Sequence, residues 1–404
     1  MKFMENEIVI DAAEILYKVH SKTNRELVLL TENKAISKKN KELIIEFTEY
    51  KKFKGLSDVR ILKYFNRLRL MVLKLNKDLD KVNKKDIETL VIQINNSNLS
   101  TNSKGEDLAI LRLFYKWLKG NDKKYPKEVQ DITIRRETKK RAPSEILTEE
   151  DILAMLNVTS SVRNKAMISI LADSGVRVGE LVNVHISNIS YTDDGLIQLM
   201  VETGKTGGRR VLLIPSVPYL STWLNHHPLK DDPKAHLFIS LDKRNHYGQL
   251  SHSSVNMMLH KIAKKINLKK AVNPHAFRRF SATSSSSFMS DSLLMMRYGW
   301  TKRQTVSSYT FLNPKEADNS YRKGFGKQEL KVKESQLQSV VCICKAVNAP
   351  TNDYCNNCGK PLNLRVALSL ENKRIKIDEQ MNNLIEKKPE ILDLLAKMIK
   401  EIDK

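Results

Sequence analysis

Cysteine is nearly absent from this chain: four residues among 404, all between Cys342 and Cys358. A disulfide scaffold scatters its cysteines, so that architecture is excluded, and the cluster points instead to a metal site in a reducing compartment. No apolar run approaches the ~20 residues needed to span a bilayer, and the opening MKFMENEIVI lacks the apolar core of a secretory signal. A cytoplasmic protein with no membrane partner is expected. Acidic residues are the other shortage. Asp and Glu number 46 against 69 Lys and Arg, a net charge of +23. The basic residues are spread along the chain and form no juxtamembrane cluster, so the polyanion they imply is nucleic acid. With 41% apolar and 28% charged residues, the chain is globular and long enough for two or three domains.

What is present falls into six stretches. Residues 1–35 hold one amphipathic helix candidate, IVIDAAEILYKVHSKT, and read as an N-terminal extension. Residues 36–120 repeat apolar side chains at three- and four-residue spacing with Lys and Arg between, predicting four short helices that end at Gly120. Residues 121–146 lose that period and are dense in Lys and Arg, as a basic linker would be. Thr148, followed by acidic residues, predicts a helix start. From 147 to about 327 the pattern is mixed: GLIQLMVET and RRVLLIPS read as two strands joined at GKTGG, with helices on either side. The whole is mainly α with a small antiparallel β-sheet, an α+β class. Residues 340–362 carry the cysteines. Residues 363–404 predict amphipathic helices broken at Pro389, with Ile391, Leu394, Leu395, Met398 and Ile402 on one face.

The chemistry concentrates in the mixed stretch. HAFRRFSATS places His275 and Arg278 three residues apart, on one face of a helix starting at Pro274, with Arg279 directed elsewhere. Phe277 and Phe280 would anchor that helix in a core. Arg177 precedes an apolar helix, with Glu180 three residues on to hold it. Lys205 sits at the hairpin tip between glycines, and Trp300 precedes Tyr309 by nine residues. Together these fit one reaction. Two arginines can cradle the non-bridging oxygens of a phosphodiester, supplying bidentate hydrogen bonds and charge. Tyr309 can attack phosphorus, Lys205 can protonate the departing oxygen and His275 can assist proton transfer. Trp300 offers one N–H donor and a buttressing ring.

RNKAMISILADSGVRVGELVNV, the hairpin lysine, PHAFRRFSAT and YGWTKRQTVSSYT, in this order between about 150 and 312, resemble the boxes of the tyrosine recombinase (integrase) family. The resemblance implies a helical core-binding domain at 36–120 and a catalytic domain at 147–327. It also implies that Arg177, Lys205, His275, Arg278 and Trp300 surround the scissile phosphate, with Tyr309 as nucleophile and Glu180 at a structural acidic position. The implied activity is site-specific recombination of double-stranded DNA through a 3′-phosphotyrosyl intermediate, without metal or ATP, by four protomers on two duplexes. Two departures stand out. Trp300 occupies a position where most members carry His, and Arg279 one where many carry His. Two competing functions stay open: a non-catalytic DNA-binding protein of the same fold, and topoisomerase-like relaxation.

Cys342, Cys344, Cys355 and Cys358 form C-x-C and C-x-x-C pairs ten residues apart, a pattern that predicts a structural zinc ribbon whose folding depends on the metal. Some archaeal integrases carry such a ribbon, which makes the chain archaeal-like. The ribbon and the helices after it are expected to serve assembly, the ribbon with DNA or another protomer as partner and the helices' apolar face with the protomer's own body or a neighbouring protomer.

Overall fold

The structure, a computed structural model, describes residues 19–120, 122–137, 142–202, 208–311, 318–319, 321–322, 324–326, 335–390 and 392. The chain divides into two units, Met1–Arg141 and Ala142–Lys404.

In the first unit the helical period becomes α1 (Val19–Thr31), α2 (Lys38–Phe53), α3 (Asp58–Leu75), α4 (Lys84–Asn95) and α5 (Thr101–Gly120). Each buries the apolar stripe its sequence spacing creates: Ile44 and Phe47 of α2, Phe65 and Leu68 of α3, Leu90 of α4 and Phe114 of α5 share one core. Two departures from the sequence reading appear here. Residues 19–31 are part of the bundle, since Glu26 accepts from Asn66 Nδ2 at 3.0 Å and from Arg69 Nε at 3.1 Å. The Lys-rich segment after Gly120 is also packed: Val129 is fully buried, and Ile132 and Ile134 lie against the same core. Gly105 permits this, because a Cβ there would stand 2.6 Å from the carbonyl of Arg135. The dense charge around these few apolar residues concealed their spacing.

The second unit begins as expected. Thr148 caps α6 (Glu149–Val158), accepting from the Asp151 N–H while Asp151 accepts from its own. Next come α7 (Val162–Ser174) and α8 (Val178–Asn183), then a three-stranded antiparallel sheet of β1 (Ile189–Tyr191), β2 (Ile197–Val201) and β3 (Arg209–Leu213). The pairs Ile197↔Leu213 and Val201↔Arg209 bracket the β2–β3 register. The three-residue β1 was not readable from the sequence, being too short to show a period. Helices α9 (Val217–Asn225), α10 (His252–Lys265), α11 (Pro274–Ser286), α12 (Asp291–Tyr298) and α13 (Gln304–Tyr309) follow. Residues 166–172 of α7 are all buried, and the helix packs against α6, α9, α11 and β3.

Downstream, β4 (Val340–Val341) and β5 (Val347–Asn348) form a small hairpin, and α14 (Leu364–Lys387) follows it. α14 starts where residues 363–404 were expected to turn helical, capped by Asn363, and none of its residues is buried. It stops just before Pro389. The stripe of Ile391, Leu394, Leu395, Met398 and Ile402 lies outside the described residues. Among the described residues, no helix is long and apolar enough to cross a membrane.

Candidate active site

Five of the six residues expected to meet a phosphate converge within the second unit. Gly175 ends α7 in the left-handed region, φ +58°, where a Cβ would stand 2.6 Å from the ring of Tyr298. That turn sets Arg177 at the head of α8. Its backbone N–H donates to Glu180 Oε2 at 2.8 Å and its Nη1 to Oε1 at 2.7 Å. Arg177 remains half-buried, with 35% of its side chain exposed, so its remaining donors can meet a ligand. Burial works to raise the carboxyl pKa of Glu180, but hydrogen bonds and charge from Arg209 and Arg177 outweigh it and hold the pKa below the ordinary value.

Asn273 and Pro274 start α11, the Asn273 side chain accepting from the Ala276 N–H. One turn in, Arg278 is 1% exposed. Its Nη1 donates to the Gly175 carbonyl at 2.7 Å and its Nη2 to the Tyr298 carbonyl. The guanidinium lies 5.3 Å from the ring centre of Tyr298, 5.4 Å from Trp300 and 5.7 Å from Tyr309. Burial first, then the like charge of Arg177, pulls its pKa down to about 10. Both described hydrogen bonds go to carbonyls, so among the described residues this buried cation has no carboxylate in hydrogen-bonding contact, Glu180 acting on it only by its charge. An anion would relieve that cost.

Phe277 and Phe280 are buried beside it and seat the helix as expected. His275, one turn before Arg278, stays exposed at the rim. Crowding by surrounding protein, then the charges of Arg279, Arg278, His252 and Arg177, lowers its pKa, so the ring favours its neutral form. The charge of Arg279 is thus felt at His275. Gly299, also left-handed at φ +61°, ends α12 and turns the chain into Trp300. Trp300 stacks on Tyr298 at 4.9 Å and leans on Tyr309 at 5.2 Å. Tyr309 closes α13, with its hydroxyl 3.5 Å from His275 Nδ1. Lys205, the sixth candidate, lies outside the described residues, in the connection between β2 and β3.

Two guanidiniums, an exposed imidazole and a phenol brought together in this way suit a tetrahedral anion and a tyrosine nucleophile. Residues 145–316 match the model of the phage integrase family. They are a tyrosine recombinase domain of that family. A tyrosine recombinase of Thermosipho africanus is 26% identical over 228 residues, 54% of this chain and 76% of that protein. The tyrosine recombinase XerA of Pyrococcus horikoshii is 32% identical over 137 residues, 34% of this chain and 46% of that protein; this match spans about half of the relative. The crystal structure of a lambda integrase dimer bound to a COC′ core site aligns at a TM-score of 0.55 and 16% identity, covering 76% of this chain and 83% of that one. That likeness is one of fold.

A second cluster accompanies the recombinase domain. The Sγ atoms of Cys342, Cys344, Cys355 and Cys358 all lie within 4.8 Å of one another, with Cys342–Cys358 and Cys344–Cys355 at 3.6 Å. A tetrahedron of sulfurs about 2.3 Å from a zinc ion has edges of about 3.8 Å, so the cluster fits a metal. The single residue between Cys342 and Cys344 is accommodated because Lys345 takes the left-handed conformation, φ 67°, that Gly359, φ 71°, takes after Cys358. Buried Asn348 donates to Cys355 Sγ at 3.5 Å. Backbone N–H groups, that of Cys358 foremost, lower the Cys355 thiol to about 6. At Cys358 the Lys360 backbone hydrogen bond lowers the thiol, but hydrogen bonds with Cys344, Cys342 and Cys355, together with burial, outweigh it and raise the thiol to about 11. The ribbon rests on its own unit: the Thr351 and Tyr219 hydroxyls hydrogen-bond at 2.8 Å. Ser335 Oγ and the Gln336 N–H, just before it, both donate to Glu149. This contact is non-local, and nothing in the sequence indicated it.

Proposed function

We propose that the protein is a site-specific DNA recombinase that cleaves and rejoins duplex DNA through a covalent 3′-phosphotyrosyl intermediate. The observation that carries this reading is Arg278, a buried guanidinium held on two carbonyls with Tyr309 5.7 Å away. In the reaction, Tyr309 Oη bonds to phosphorus as the bond from phosphorus to the 5′ oxygen breaks. The phenol proton passes to His275 and Lys205 supplies a proton to the departing 5′ oxygen. Arg177 and Arg278 hold the non-bridging oxygens as charge grows on them. The Trp300 indole N–H donates to the phosphate, and its ring backs Arg278. The phosphotyrosyl bond conserves the phosphodiester's energy, so rejoining requires no ATP, and the guanidiniums supply the charge. Attack by the 5′ hydroxyl of a second duplex exchanges strands, with four protomers on two duplexes. A duplex nicked just 3′ of the cleavage site, which releases a short fragment bearing the 5′ hydroxyl, traps the intermediate. An SDS-resistant protein–DNA adduct is expected. Its absence overturns the reading in favour of simple DNA binding, and relaxation without exchange between two marked sites would make the enzyme topoisomerase-like.

The surplus of 23 positive charges supports a clamp in which the first unit and the recombinase domain both contact backbone phosphates. Neutralising about six to ten phosphates predicts a roughly 10³–10⁵-fold loss of affinity between 50 and 200 mM salt. Tight binding with a shallow salt dependence, measured by titration across that range, would contradict the clamp.

The cysteine cluster fits a structural zinc ion, bound by Cys342, Cys344, Cys355 and Cys358. A ribbon whose hairpin has two-residue strands cannot bury a core of its own, so the metal would supply its folding energy. Protein purified without chelator should carry about one zinc per chain. Its removal should expose residues 340–362 to protease while the Tyr309 adduct still forms. Less than about half a zinc per chain, or loss of the adduct with the metal, contradicts this role.

A further inference from the structure

Glu180 is saturated with donors. Oε1 accepts from Arg177 Nη1 at 2.7 Å and Arg209 Nη1 at 3.0 Å; Oε2 accepts from the Arg177 N–H at 2.8 Å and Arg209 Nη2 at 2.8 Å. Arg209, the first residue of β3, thus makes the fork-to-fork pair, with its side chain only 8% exposed. Arg177 makes a single side-chain bond. The pairing decides where the charge goes. Arg209 neutralises Glu180, and the charge of Arg177 is left over for a ligand. The third donor of Arg209, Nε, reaches the Arg297 carbonyl at 2.9 Å. Arg297 precedes Tyr298, whose own carbonyl accepts from Arg278. One guanidinium therefore ties the head of α8, which carries Arg177, to the end of α12, which holds Arg278.

We infer that Arg209 is a positioning residue for phosphate chemistry, pairing with Glu180 so that the charge and free donors of Arg177 are left available, while fixing the support of Arg278. This rests on the phosphate-site reading above. Arg209 touches no substrate; it acts through Glu180 and the Arg297 carbonyl. Lys at 209 would keep the charge but lose the fork and cannot reach both partners.

The test compares full-length wild type, R209Q, R209K, R177A and R177A/R209Q in three measurements: single-turnover cleavage of a nicked duplex, affinity for the same duplex at fixed salt, and thermal unfolding. R209Q should cleave about 100-fold more slowly, a loss comparable to that of an oxyanion donor, with affinity within about threefold of wild type. R209K should recover roughly tenfold of that loss. The double variant should cleave no more slowly than R177A, because both changes remove the same contribution. Losses that multiply in the double variant, or wild-type cleavage by R209K or R209Q while R177A is inactive, overturn the role of Arg209 alone. Normal cleavage by R177A overturns the phosphate-site reading and this inference with it. If R209Q unfolds, R209K decides: slowed cleavage at unchanged affinity supports the role, and wild-type cleavage refutes it.

Discussion

Tyr309→Phe should bind duplex DNA as the wild type does and form no SDS-resistant adduct. The substitution removes one oxygen, while the ring keeps its packing on Trp300 at 5.2 Å and its place 5.7 Å from the Arg278 guanidinium. In the proposed clamp affinity arises from many backbone phosphates and does not depend on that hydroxyl. Cleavage does, because no other group forms the new bond to phosphorus, so a loss of about 10⁴-fold or more is expected, as when a covalent nucleophile is deleted elsewhere. Tyr298, the nearest alternative in sequence, is fully buried, with its hydroxyl bonded to Ser281 at 2.7 Å and Ser285 at 3.0 Å. It is part of the wall behind Arg278 and cannot reach a DNA strand without unpacking it. An adduct of normal yield on the Phe variant, detected by gel mobility after SDS, would refute the assignment of Tyr309.

Arg278→Lys should fold, bind DNA within a few-fold of wild type at matched salt, and cleave about 10²–10³-fold more slowly. Lysine retains the charge and most of the stem, so the buried site stays filled. It cannot span the carbonyls of Gly175 and Tyr298 while also presenting a donor to phosphate, because those contacts use separate arms of the guanidinium. The lost contact grows with charge on the phosphate oxygens and so counts most in the transition state. Thermal unfolding of the same variant separates this from a packing defect. Cleavage near the wild-type rate would mean that charge alone suffices and the fork is idle.

The sequence reveals parts of this architecture because the signals are local. The spacing of His275 and Arg278, the helix start at Pro274 and the Thr148 cap before acidic residues act within one turn, so composition and period disclose them. Arg209 was overlooked because its partners are distant: Glu180 lies 29 residues away and Arg297 88 residues away. The one available signal was a second arginine at the base of the hairpin carrying Lys205. Val129, Ile132 and Ile134 were hidden in a Lys-rich stretch, where charge density outweighed three apolar residues. The docking of the ribbon on Tyr219 through Thr351 crosses 132 residues and left no local trace.

The central claim is that one phenol takes over a phosphodiester at a site built from two arginines. Trapping the wild-type protein on a nicked duplex, digesting it with protease and sequencing the nucleotide-bearing peptide by mass spectrometry tests this directly. A single modified residue is expected, Tyr309, carrying the 3′-phosphate of the cleaved strand. A nucleotide on Tyr298, on any other side chain, or on none would contradict it.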